Sequence, residues 1–197
     1  MRRALALLFA SGLAIAGLNW WQDRPRYQGP VSAHYDGERF HNAEPFGKSW
    51  LDLIRFAWER DPGEWTRDLS TSPGPRPQAR VGEGGLRATV VNHATVLLQF
   101  DGLNLLTDPI WSERASPVQW AGPRRFVPPG IRFEDLPGID AVLISHNHYD
   151  HLDLPTLQRL QAAHDPMVYV GLGEGATLRA AGIGNIHKIS SCLEIAY

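Results

Sequence analysis

The sequence predicts an α/β fold, on three observations. An apolar run from Ile139 to Ser145 reads as a buried strand. Asp153-Leu154-Pro155 then opens a helix, with a capping residue followed by proline in the first turn. A second apolar run, Met167 to Val170, is followed by a short helical pattern from Ala176 to Ala181 that Gly182 ends. Strand and helix alternating in this way bury a sheet beneath helices.

The elements are justified in chain order as follows. Arg2 and Arg3 precede an apolar stretch from Ala4 to Leu18, and Trp20-Trp21 follows. Residues 1–21 therefore read as a signal peptide or a membrane anchor, which places the protein at a membrane or, after export, on the periplasmic side. Residues 22–85 read as an extended lead-in with one amphipathic helix. Trp50, Leu53, Ile54, Ala57 and Trp58 fall at helical spacing, and Asp61-Pro62-Gly63 stops the pattern. That stripe either packs on the domain or meets lipid or an apolar substrate. Thr71 to Gly85 is rich in Pro, Gly and Arg and reads as a loop.

The main domain is expected over residues 86–197. Leu86 to Val91 alternates, while Thr95 to Phe100 and Leu103 to Thr107 are apolar, with Asp101-Gly102 as a turn between them. These are strands joined in part by a hairpin. Pro109 to Gly130 is a long proline-rich stretch without period, and loops of that length are usually functional or disordered. Leu154, Leu157 and Leu160 share one face of the helix that follows Asp153.

The formal net charge of −2 offers no global basic field, so nucleic acid is not expected as a partner. The single cysteine, Cys192, excludes an internal disulfide and a cysteine-based zinc site. Gly171-Leu172-Gly173-Glu174-Gly175-Ala176 fits a loose dinucleotide-binding pattern, a weak signal because glycine is common at strand-to-helix turns.

The densest chemical signal is His146-Asn147-His148-Tyr149-Asp150-His151, which places four potential metal ligands in six residues at the end of the buried strand. In an extended segment, residues two apart point to the same side. His146 and His148 can thus aim at one ion, while Asp150 and His151 face a second as the chain bends. Two ions sharing a water lower its pKa from about 15.7 toward about 7. The Asp150 carboxylate offsets part of the dication charge and can orient the water or accept its proton. Zinc suits this nitrogen and oxygen donor set. Asn147 and Tyr149 are spacers that point away.

These residues resemble, one by one, the His-x-His-x-Asp-His motif of the metallo-β-lactamase superfamily of hydrolases. Further stretches resemble the N-acyl-phosphatidylethanolamine-hydrolysing phospholipase D group and related bacterial membrane-associated proteins. They are His34 to Asn42, Asn92 to Leu97, Leu106 to Ser112, Gly122 to Phe126 and Ser145 to Asp153. The resemblance implies a four-layer αββα sandwich with two zinc ions at the rim between the sheets, His146 and His148 on the first and Asp150 and His151 on the second. It implies that Asp108 orients the ligating histidines and that His93, at a strand turn near the same end, stands beside them or packs locally. The implied reaction is hydrolysis of a phospholipid phosphodiester at a membrane surface, a lactone or another ester being the alternative substrate. Arg124 and Arg125 could meet the phosphate or form a solvated pair. Trp111, Trp120 and Phe126 could wall acyl chains or pack the loop down.

In that family the remaining ligands come from the second half of the fold. The downstream histidines here, His164 and His187, do not resemble them in context. The chain is therefore expected to correspond to the N-terminal half of the sandwich and to be weak or inactive alone. A membrane-tethered metal-binding remnant without chemistry is the alternative class.

Overall fold

The structure, a computed structural model, describes residues 27–41, 49–59, 61 and 71–189. The expected leader or anchor at 1–21 and the stretch beyond Ile189 lie outside the described residues. Gln28–Thr71 forms one compact unit, and the chain from Ser72 onward forms the body of another.

In the first unit, Tyr35 is buried and stacks at 4.7 Å on Phe40. Helix α1 spans Trp50–Glu59, one residue beyond the predicted stripe. Ser49 starts it: its amide and hydroxyl donate to Asp52 Oδ2 at 2.7 and 2.9 Å, which satisfies groups that a helix start leaves open. Of the predicted stripe, Trp50, Ile54 and Trp58 are exposed, as are Leu51 and Phe56. No helix among the described residues is long and apolar enough to cross a membrane.

Among the described residues, the second unit holds a six-stranded sheet in sequential order. Its strands are β1 (Leu86–Asn92), β2 (Thr95–Phe100), β3 (Leu103–Thr107), β4 (Ala141–Ile144), β5 (Met167–Gly171) and β6 (Ile186–Ile189). The first three are antiparallel neighbours, and β3 to β6 run parallel. The β2–β3 hairpin turns through Asp101 and Gly102, with φ of 45° and 77°. Two successive positive φ values match the right-handed twist of the strands and are cheap for Asp and Gly.

The parallel crossovers need helices. Helix α2 (Leu154–His164) joins β4 to β5, and α3 (Gly175–Ala180) joins β5 to β6. Pro155 sits in the first turn of α2, and Asp165 ends it in the left-handed region. Leu157 and Leu160 of α2 and Leu178 of α3 bury against Leu97, Leu106, Val142, Val168 and Val170. The strand registers align these sheet residues: Leu97 opposes Leu106, which neighbours Val142 and then Val168. The alternate residues, among them Leu98, Leu105, Leu143 and Tyr169, are only half-buried on the other face. The described residues thus hold two layers of the expected sandwich. The glycine-rich stretch 171–176 forms the β5–α3 turn.

The sheet edge opposite the histidine motif is closed by a polar network. Gln99 Nε2 donates to Asn104 Oδ1 at 2.9 Å, and Asn104 Nδ2 reaches the carbonyls of Ala79 and Gly138 at 2.9 and 2.8 Å. Asp140 accepts from the Asn104 amide at 2.7 Å and pairs with both terminal nitrogens of Arg80. These hydrogen bonds fix the lead-in loop to the sheet, and Gln99 Oε1 is the buried side-chain oxygen left without a partner among the described residues. Burial works to raise the pKa of Asp140, but Arg80 and the Asn104 amide outweigh it and hold the carboxyl below its ordinary 3.8.

A depressed carboxyl pKa stabilises the fold above the unfolded-state value, and that stabilisation disappears as the pH drops through the folded-state value. Asp140→Asn should therefore cost about 1 kcal/mol at pH 7, a modest figure because the pair is part-exposed. The gap between wild type and variant should close below about pH 3.8. Urea unfolding of both proteins across pH 3 to 7 tests this, and a gap that persists in acid contradicts it.

Candidate metal centre

Strand order alone gathers the chemistry at one edge. Parallel β3 and β4 both end there, and β2, antiparallel to β3, begins there, with Val96 paired to Thr107. Asp108 follows β3, Ser145 and the histidine motif follow β4, and His93 occupies the β1–β2 turn. Three segments distant in sequence thus meet at one edge.

The Asp108 carboxylate organises the meeting. Oδ1 accepts from the Ser145 amide at 2.7 Å, and Oδ2 accepts from Ser145 Oγ at 2.7 Å. Oδ2 also lies 2.8 Å from His151 Nδ1. The Asp108 amide in turn donates to the Leu143 carbonyl at 2.8 Å, and Thr95 Oγ1 donates to the Asp108 carbonyl at 2.7 Å. Asp108 and His93 both have φ of 36°, a conformation that L residues other than Asn, Asp and His seldom adopt.

His93 Nε2 lies 3.0 Å from Asp150 Oδ2, and His151 Nε2 lies 3.5 Å from the same oxygen. His93, Asp150 and His151 offer ligand atoms that all fall within 4.8 Å of one another. Two ligands about 2.1 Å from a tetrahedral ion stand about 3.4 Å apart, so these spacings suit a divalent cation with nitrogen and oxygen donors. His146 and His148 stand beside this group: the His146 ring lies 4.0 Å from that of His151 and 4.6 Å from that of His148. Ser145 Oγ lies 2.9 Å from His146 Nδ1. The compact trio thus joins Asp150 and His151 to His93 from a separate hairpin.

Electrostatics favour the lone-pair-bearing forms of His146 and Asp150. Burial, and after it the neighbouring His151 and His148, push the His146 imidazole below its ordinary 6.5. Burial works to raise Asp150, but its own backbone amide, His151 and His93 outweigh that and hold the carboxyl below 3.8.

The long loop behaves differently from the motif. Trp111 donates Nε1 to the Ile131 carbonyl at 3.0 Å and meets Phe133 edge to face at 5.8 Å. Arg125 donates to the carbonyls of Ser112 and Ile110, and Arg124 pairs with Glu113. Burial lowers the Arg125 pKa, against the opposing pull of the Asp153 and Glu113 carboxylates. Trp120 and Phe126 are largely exposed. Asp153 stands at the start of α2 as expected, yet its carboxylate turns to the loop. It accepts from the Ser112 amide and hydroxyl at 3.0 and 2.8 Å and from Thr156 Oγ1 at 2.5 Å. Sequence reasoning missed this tether, because Asp before Leu-Pro looks the same whether it caps its own helix or ties down a distant loop.

Asp108→Ala should cost about 2 to 3 kcal/mol, since it leaves the part-buried Ser145 amide and the His151 Nδ1 without their acceptor. Denaturant midpoints measure the loss, and amide exchange at Ser145 should accelerate with it. A midpoint equal to that of wild type would show that this carboxylate does not organise the edge.

Comparison with known proteins bears on this site. Residues 103–191 match the beta-lactamase superfamily domain. The chain is 34% identical, over a 204-residue alignment, to an uncharacterised protein of Mycobacterium tuberculosis, covering 93% of this chain and 54% of that protein. It is 43% identical over 103 residues to N-acyl-phosphatidylethanolamine-hydrolyzing phospholipase D 1 of Caenorhabditis elegans, covering 52% of this chain and 29% of that one. Among solved structures, isothiocyanate hydrolase from Delia radicum gut bacteria is 28% identical with a TM-score of 0.44, covering 52% of this chain and 41% of that chain. The chain spans about half the length of the curated relatives that it matches over most of its own length. The match to the beta-lactamase superfamily domain takes in β3 to β6 and the histidine motif.

Proposed function

We propose that this chain carries part of a metal-dependent hydrolase centre, with a phospholipid phosphodiester as substrate and zinc as the metal. The observation that carries the reading is the convergence of His93, Asp150 and His151 within 4.8 Å at the edge where β3 and β4 end. A bound divalent ion would supply Lewis acidity and a water acidic enough to react at neutral pH. His146, His148, Asp150 and His151 would hold the metal, with His93 joining them through Asp150. Asp108 would fix the His151 ring through Nδ1, so that Nε2 is the nitrogen aimed at the centre. Asp150, already deprotonated, would orient the attacking water and take its proton.

Likeness to the Caenorhabditis elegans phospholipase D supports the phosphodiester. The exposed Trp50, Phe56 and Trp58 on α1 support a lipid surface as the place where substrate is met, since indole rings favour the membrane–water boundary. Arg124, in the long loop, would bring its charge to the phosphate by exchanging Glu113 for it.

Two outcomes are expected. The chain should bind zinc weakly but measurably in calorimetric titration, and Asp150→Ala or His151→Ala should remove that binding. Asp108→Asn should weaken it roughly ten- to a hundredfold while leaving the ligands in place. Release of N-acylethanolamine from N-acyl-phosphatidylethanolamine vesicles should depend on the same residues, with a polypeptide spanning the relatives' other half added if the chain alone is silent. Wild-type turnover in Asp150→Ala, or turnover confined to lactone or carboxylic ester substrates, would exclude the proposed chemistry.

A further inference from the structure

Ser145 stands between the Asp108 carboxylate and two imidazoles. Its Oγ lies 2.7 Å from Asp108 Oδ2, 2.9 Å from His146 Nδ1 and 3.4 Å from His151 Nδ1. A hydroxyl has a single proton to donate, so Ser145 donates to one of these neighbours and accepts from the rest.

Asp108 decides where that proton goes. A carboxylate only accepts, and its Oδ2 faces the Ser145 hydroxyl at the short length of a charge-assisted bond. Without a proton between them, an anionic oxygen and a hydroxyl lone pair would face each other at 2.7 Å, a repulsive contact. The Ser145 proton is therefore committed to Asp108. Toward His146 the hydroxyl presents only lone pairs, so the bond at 2.9 Å runs from the ring: His146 Nδ1–H donates to Ser145 Oγ. His151 follows the same logic directly, with Nδ1–H donating to Asp108 Oδ2 at 2.8 Å. Both rings then carry the proton on Nδ1 and the lone pair on Nε2. A free histidine side chain in water favours the opposite tautomer, so the bond at Nδ1 selects the state of Nε2.

We propose that Ser145 is a positioning residue for the candidate metal centre: its hydroxyl relays the Asp108 carboxylate to His146 and sets the tautomer of that ring. One carboxylate thereby orders two imidazoles, His151 directly and His146 through the hydroxyl. That the Nε2 lone pair of His146 serves a metal rests on the hydrolase reading above; the proton order does not.

The test is long-range proton–nitrogen NMR of the full chain, labelled at histidine nitrogen, with EDTA present and at a pH where the rings are neutral. In wild type the His146 and His151 protons should sit on Nδ1. Ser145→Ala should move the His146 proton to Nε2 in most molecules and leave His151 unchanged. Ser145→Thr, which keeps a hydroxyl, should restore the wild-type pattern. Asp108→Asn should reverse both rings. The Ser145 amide, which donates to Oδ1 at 2.7 Å, keeps the side-chain oxygen there, and the new NH2 donates to Ser145 Oγ and His151 Nδ1. The released hydroxyl proton then turns to His146 Nδ1. A merely structural serine would not invert tautomers in this pattern. In a separate calorimetric titration, Ser145→Ala should weaken zinc binding roughly ten- to a hundredfold, with Ser145→Thr close to wild type. A His146 proton on Nε2 in wild type, one that stays on Nδ1 in Ser145→Ala or Asp108→Asn, or equal zinc affinity of wild type and Ser145→Ala would overturn the assignment. Should Ser145→Ala not fold, the tautomers of wild type and Asp108→Asn decide. The expected tautomers in a wild type that binds no zinc would support the proton order and sink the metal reading alone.

Discussion

One buried carboxylate sets the geometry on which the candidate centre depends. Asp108 is only 6% exposed and receives the Ser145 amide, the Ser145 hydroxyl and the His151 ring at once. A buried charge without partners is expensive, and three polar contacts make this one tolerable. The contacts do structural and chemical work together. They clamp the end of β4 to the end of β3, and they orient an imidazole whose other nitrogen faces Asp150. The left-handed backbone at Asp108 is the cost of aiming the carboxylate back across the strand ends.

The sheet is polar at its two ends and apolar between them. Gln99, Asn104, Asp140 and Arg80 close one end, and Thr95, Thr107, Asp108 and Ser145 close the other. Leu97, Leu106, Val142 and Val168 run across the middle beneath α2 and α3. The dry centre supplies most of the driving force, while the polar ends set where strands stop and which loops lie over them. The long proline-rich loop is held by the same economy: Asp153 and Arg125 satisfy its backbone groups, and Trp111 anchors its base. Arg125 reads from sequence as a phosphate contact or one of a solvated pair; in the folded chain its Nε and Nη2 donate to the carbonyls of Ser112 and Ile110.

Several elements were legible because their patterns are local. The Asp101-Gly102 hairpin, the start of α2 at Asp153-Leu154-Pro155 and the strand before the histidines each carry their own signal within a few residues. Strand β6 was not anticipated. Ile186–Ile189 is a four-residue edge strand with two exposed polar residues at its centre, so it lacks both a full apolar run and a readable alternation. Its pairing with β5 is a property of the neighbour. His93 was visible as a histidine at a turn, but not as a partner of Asp150, because their separation of 57 residues is closed only by the sheet.

By itself the sequence determined the chemical kind of this protein: donor types concentrated after a buried strand, in an α/β chain with no cysteine framework. Those are properties of side-chain chemistry and short-range spacing, which the linear order preserves. Which donors share one point in space was decided by tertiary structure alone. Three parallel or antiparallel strand ends must align before His93, Asp108 and the motif can meet, and that alignment follows from long-range packing of the apolar face rather than from any local preference.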